Sequence, residues 1–180
     1  MAILSCKLNR NILRNTNCAY SLLEINDIYI APYESVKTSA TTDSGGCESI
    51  VGVSAGTDNF VHIVPAKNSV TFTDELVVSD GGNKYRTHTL TFSISNKYDA
   101  CLHIDFDNLS LGRFTAVVQT ADGSYLMLGR MTGLEASEAT LSGGGDTNGM
   151  AITLTANVAE SAMPLSEGAV TELLALVPAE

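Results

Sequence analysis

Three histidines, His62, His88 and His103, are the side chains of this sequence best suited to proton transfer or metal binding. Their surroundings argue against both uses. His88 falls on the apolar-facing side of an alternating segment and His62 in a short apolar run, the usual setting of core or interface histidines. No HExxH, HxH or His-rich tract is present. His103, Asp105 and Asp107 form an HIDFD run. On a helix, positions i, i+2 and i+4 do not share a face, and only an extended backbone would align the three as cation ligands. Asp74 and Glu75 are an adjacent carboxylate pair, but neighbours on a strand point to opposite faces, so they do not form a glycosidase pair. Serines are plentiful without a GxSxG elbow. The glycine-rich GGGDTNG at 143–149 lacks Gly-Lys-Ser/Thr, and its DTNG lacks the downstream Glu of a calcium loop. The four cysteines, Cys6, Cys18, Cys47 and Cys101, contain no CxxC pair. The expectation is a protein without catalytic residues, cofactor or metal.

Charge narrows the partners. The formal net charge is −10 and only 17% of residues are charged, below the usual quarter. From Met131 onward there are acids (Glu135, Glu138, Asp146, Glu160, Glu167, Glu172, Glu180) and no Lys or Arg, while Lys7, Arg10 and Arg14 open the chain without an acid. Such a surface cannot bind nucleic acid by neutralising phosphates and is suited to repelling it. No stretch approaches the roughly 18 apolar residues of a membrane span. The first residues hold no apolar signal core, so the cysteines are expected reduced, with Cys101 in the core and the chain made in the cytoplasm.

The elements that would carry these residues are mostly strands. Leu22 to Ile30 is β-type and ends at Pro32; 38–46 reads as a polar loop; Ser49–Ser54 and Phe60–Val64 are short apolar runs. In 70–78, Val70, Phe72, Leu76 and Val78 share a face with Asp74 as the exception. Asp80-Gly81-Gly82-Asn83 turns the chain into a second strand through Ile94, with Tyr85, Thr87, Thr89, Thr91 and Ser93 on one side and His88, Leu90, Phe92 and Ile94 on the other. The period changes at 98–109, which predicts a helix bounded by Asp99 and Gly112. Phe114–Gln119 and Ser124–Gly129 flank an Asp-Gly turn, LEASEATLS (134–142) is a polar strand or loop, and 150–158 alternates almost without fault. The apolar tail after Glu167 is a short helix or a docking strand. The sum is a mainly β protein, a β-sandwich or barrel of about seven or eight antiparallel strands with one packed helix. Its parts are a basic arm over 1–19, a sandwich domain over 20–162 and an apolar tail over 163–180.

The order of these elements, with the phrases YRTHTLTFSIS (85–95), LGRFTAVVQTADGSYLMLGRMTGL (111–134) and GDTNGMAITLTANVAESA (145–162), resembles the tail tube proteins of bacteriophages, especially those of gut Bacteroidales phages, and the related tubes of contractile injection systems. The resemblance covers roughly residues 20–162 and leaves out the basic arm and the tail. It implies a homo-oligomer that forms stacked, usually hexameric rings around a channel. DNA would pass through without specific binding, and the other tail proteins (tape measure, terminator, baseplate hub, sheath) would be its partners in the virion tail. Asp74, Glu75 and Thr87 of the long hairpin are the candidate channel-facing residues. A different virion ring (head–tail connector, terminator or decoration protein) is the nearest alternative. A carbohydrate-binding or adhesin-like β-sandwich is the next, disfavoured by the lack of Trp and by only six Tyr for sugar stacking.

Overall fold

The structure is a computed structural model that describes residues 24–43, 46–94, 101–143 and 149–178. The protein is mainly β. Among the described residues, eleven strands build one nine-stranded antiparallel sheet and one two-stranded ribbon. The strands are β1 (Ile25–Pro32), β2 (Lys37–Thr42), β3 (Glu48–Ser54), β4 (Val61–Ile63), β5 (Thr71–Val78), β6 (Lys84–Ile94), β7 (Arg113–Thr120), β8 (Tyr125–Leu128), β9 (Leu134–Ser142), β10 (Gly149–Val158) and β11 (Met163–Pro164). Helices α1 (Leu102–Leu111) and α2 (Glu167–Ala175) complete the list.

The large sheet folds back on itself at β7. Along one edge β7 pairs with β8 through Ala116–Gln119, and with β9 only through Arg113 and Phe114. Its other edge carries β1, which in turn pairs with β4. One half, β4-β1-β7-β8-β11, therefore lies against the other, β9-β10-β6-β5, and no closed barrel forms. Between the halves sits the larger core: Ile28 and Ile30 from β1, Ala116 and Val118 from β7, Leu90 and Phe92 from β6, and Ile152, Leu154 and Val158 from β10. The alternate residues of β1 and β7 (Tyr29, Ala31, Val117) point the other way. There they meet Ile50 and Val53 of β3, Phe60, and Ala169 and Leu173 of α2. The middle layer is covered on both faces, which is why the centres of β1 (IYIA, 28–31) and β7 (AVV, 116–118) are apolar without alternation.

The two hairpin turns follow the sequence. Gly82 and Gly123 hold φ of 79° and 85°, a left-handed backbone that glycine adopts without a Cβ penalty. Around the second turn the Asp122 carboxylate accepts from the Ser124 N–H at 3.1 Å and from the Thr120 hydroxyl.

Several expectations need correction. The polar stretch 38–46 begins as a strand: β2 pairs with β3 from Lys37↔Ser54 to Thr42↔Glu48, and its exposed Thr and Ser leave no apolar alternation to read. Helix α1 runs Leu102–Leu111, two residues past the expected end at 109, and the first part of the expected helix, 98–100, lies outside the described residues. Gly112 does close it, with its N–H bonded to the Asn108 carbonyl, whereas Asp99 lies outside the described residues. Cys101 is the N-cap of α1 and is exposed, not a core residue, because the helix begins one position after it. The apolar tail after Glu167, by contrast, forms the short helix expected of it: Ala169 and Leu173 of α2 join Met163 in the second core, and Ser166 caps the helix by accepting from the Ala169 N–H at 3.3 Å. The strand count exceeds seven or eight because β2 is polar, β11 is only two residues long, and 134–142, left open as a strand or loop, forms β9. The basic arm and most of the GGGDTNG loop fall outside the described residues.

Candidate functional site

The outward side of β5-β6-β10-β9 carries a regular array of hydroxyls. Register places Thr71, Thr91, Thr153 and Glu138 in one cross-strand row, Thr73, Thr89, Thr155 and Glu135 in the next, and Glu75, Thr87 and Asn157 in a third. Thr is well suited to such a surface, since its β-branch stiffens the strand and its hydroxyl bonds across it. The Thr91 and Thr153 hydroxyls are 3.1 Å apart, and Thr87 donates to Asn157 Oδ1 at 2.9 Å. Arg113, at the corner where β7 meets β9, is engaged by its neighbours. Its Nε donates to the Thr132 carbonyl at 2.7 Å, its guanidinium lies 4.7 Å from the centre of the Tyr33 ring, and Glu34 and Glu135 stand within 4 Å. The face is thus polar, hydrogen-bonded within itself and acidic.

Of the three candidate channel residues, Glu75 and Thr87 lie on this face, directly opposite each other in the register. Asp74 points to the reverse side and is nearly buried. Arg86 Nε donates to its Oδ1 at 2.5 Å and the Ala162 N–H to its Oδ2 at 3.0 Å. Behind it His88, 1% exposed, accepts from the Gly129 N–H at Nδ1 (3.3 Å), while its Nε2 stands 3.5 Å from Asp74 Oδ1, too far for a good hydrogen bond. Next to this group Arg130 and Glu160 form a two-pronged ion pair, with Nε to Oε1 at 2.7 Å, and Arg130 also reaches the Thr38 hydroxyl at 3.4 Å. These charges fasten the hairpin to the segment after β10 and to the β8–β9 turn. The sequence marks Asp74 only as a polar residue on an apolar face. Counting across the 80–83 turn sets it opposite His88.

The remaining candidates are dispersed. His62 Nε2 donates to Asp27 Oδ1 at 2.7 Å, and its ring stacks on Tyr29 with ring centres 5.0 Å apart. Tyr29 is pushed up to about 12 by burial, with Tyr125 and Asp27 adding to the shift. His103, Asp105 and Asp107 sit exposed on α1, where helical spacing turns Asp105 away from the other two. Among the described residues no three His, Cys, Asp or Glu side chains gather as metal ligands, and no helix is long and apolar enough to cross a membrane. No family model, no curated protein and no solved structure matches this chain.

The charged group behind the face makes stability depend on acidity. Burial works against ionising Asp74, yet its hydrogen bonds from Arg86 and the Ala162 N–H, with the nearby His88 and Arg86 charge, leave its carboxyl below the usual range. Burial lowers His88 as well, against the pull of Asp74 and Glu160. Both groups bind fewer protons folded than unfolded. Their contribution is complete above the unfolded histidine value of about 6.5 and is lost in two steps on acidification, first His88 and then Asp74 below about 4. Urea titrations between pH 8 and pH 3 should show a falling midpoint through both windows. A midpoint that rises from pH 7 to pH 5 would contradict this arrangement.

Proposed function

We propose that this chain is a structural protein without catalytic activity, the protomer of a phage tail tube or of a related injection-system tube, assembling into stacked rings through which DNA passes. One observation carries the reading: a long, regular, acidic hydroxyl face on an open-edged sheet, with no unpaired cation among its described residues. Lining a channel, that face repels phosphate and offers it no cationic foothold, so DNA slides without sticking. Among the described residues no strand pairs with the outer edge of β5, and a neighbouring subunit would satisfy its backbone groups. The order of the hairpin, α1, the Asp-Gly hairpin and β10 supports the same reading. In it, the virion tail is the site of action and the terminator, tape measure and baseplate proteins are the partners.

Negative-stain electron microscopy of the purified protein over a range of concentrations is the test. Rings or tubes with a central channel are expected. A protein that stays monomeric at every concentration removes the proposal, and single rings that never stack favour a connector or terminator instead.

A further inference from the structure

Two exposed apolar groups stand at opposite ends of the outer sheet half. At the free end of the β5–β6 hairpin, Leu76 and Val78 are 59% and 56% exposed although they lie on the same side as the buried Leu90 and Phe92. The reason is length: β10 stops at Val158, opposite Arg86, and the hairpin continues past it. Lys84 pairs with Val78 and so emerges on this same side, while Asp80 belongs to the turn beyond. The tip is an apolar knob with a cation beside it.

At the other end a cleft of about 570 Å³ opens between β4, α1 and the ends of β6 and β10. Val61 and Val64 rim it, 57% and 63% exposed, and Leu109 and Phe114 line it deeper in. Asp105 of α1 stands in its wall. Cleft and knob are thus both apolar, and each bears one charge opposite in sign to the other's. They are separated by the length of β6, about 33 Å at 3.3 Å per residue, so one molecule cannot satisfy both.

We infer that the hairpin tip of one copy seats in the β4–α1 cleft of a second copy, with Leu76 and Val78 against Val61, Val64 and Leu109, and Lys84 beside Asp105. A knob and a hole on different surfaces of one chain make a head-to-tail contact, which repeats until it closes or propagates along its axis. Here that axis runs with the strands of the hairpin. The assignment of this contact to ring stacking rests on the tube reading; the contact itself rests on the two surfaces.

The test compares wild type with Val78→Asp, Val64→Asp, Lys84→Glu, Asp105→Lys and the Lys84→Glu/Asp105→Lys double variant, by sedimentation velocity and electron microscopy. All four positions are exposed, and circular dichroism checks that each variant is folded. Either Asp substitution should raise the concentration needed for stacking about thirtyfold while single rings persist. Each charge reversal should weaken stacking, and the double variant should restore it. Unchanged tubes from both Asp variants, or a double variant no better than the single reversals, overturn the contact and leave the tube reading standing. Asp variants that are monomeric while wild type forms tubes also overturn it as an axial contact, since the surfaces would then be lateral. A wild type that never self-associates removes both proposals.

Discussion

Asp74→Ala is expected to lower the unfolding free energy by about 3 kcal/mol, the range for breaking one side of a largely buried ion pair. The carboxylate is only 15% exposed and serves two donors at once, Arg86 Nε and the Ala162 N–H, with the His88 ring edge 3.5 Å away. Removing it leaves a backbone N–H without its acceptor and a guanidinium without its counter-charge. Arg86 is 33% exposed and can turn toward water, which keeps the cost below that of a fully enclosed pair. Asp74→Asn retains an acceptor for Ala162 and should cost less, about 1–2 kcal/mol, and it should also erase the lower of the two acid steps. Equilibrium urea unfolding at pH 7 measures both. A loss below about 0.5 kcal/mol for the alanine variant would show that the carboxylate does not fasten the hairpin.

That cluster also shows where sequence stops being informative. The hairpin, its turn and the alternating faces of β6 and β10 are readable because each has one wet and one dry side, and a period of two follows directly. The hydroxyl array follows from the same alternation, which by itself puts Thr87 among the outward threonines of β6. The same alternation places Asp74 on the dry side opposite His88, but which groups satisfy its charge there is not written locally. Two of its partners come from across the hairpin, and the Ala162 N–H comes from a segment 88 residues away. Glu160 and Arg130, which meet 30 residues apart, carry no local signal at all.

The layering is hidden for a related reason. β1 and β7 are buried on both faces, so their apolar runs point to no particular face, and nothing in them says that a second core lies beyond. β2 is nearly all exposed Thr and Ser and has no pattern to display. Helical spacing alone puts Cys101 in the core, whereas a helix that begins at Leu102 makes it an exposed cap. The resemblance to tail tube proteins rests on element order and short phrases, and its consequences are for the electron microscope to test.

Phe60→Ala should be the most damaging single truncation of the second core, at about 3–5 kcal/mol. Phe60 has no exposed surface and sits where Ile50 and Val53 of β3, Val117 of the middle layer and Leu173 of α2 converge. Its own N–H donates to the Leu176 carbonyl at 3.1 Å, so the same residue ties the chain before β4 to the end of α2. The larger core between the sheet halves does not include it. The damage should therefore be uneven. In hydrogen exchange, amides of α2 and β3 should lose protection first and most, while those of β6 and β10 stay close to wild type below the global transition. The hydroxyl face would then survive a partial opening of the opposite layer, and ring formation would weaken less than stability does. Uniform loss of protection across β3, β6, β10 and α2 would instead mean that the two cores unfold as one unit, and the separation of the outer layer from the β5-β6-β10-β9 half would have no energetic counterpart.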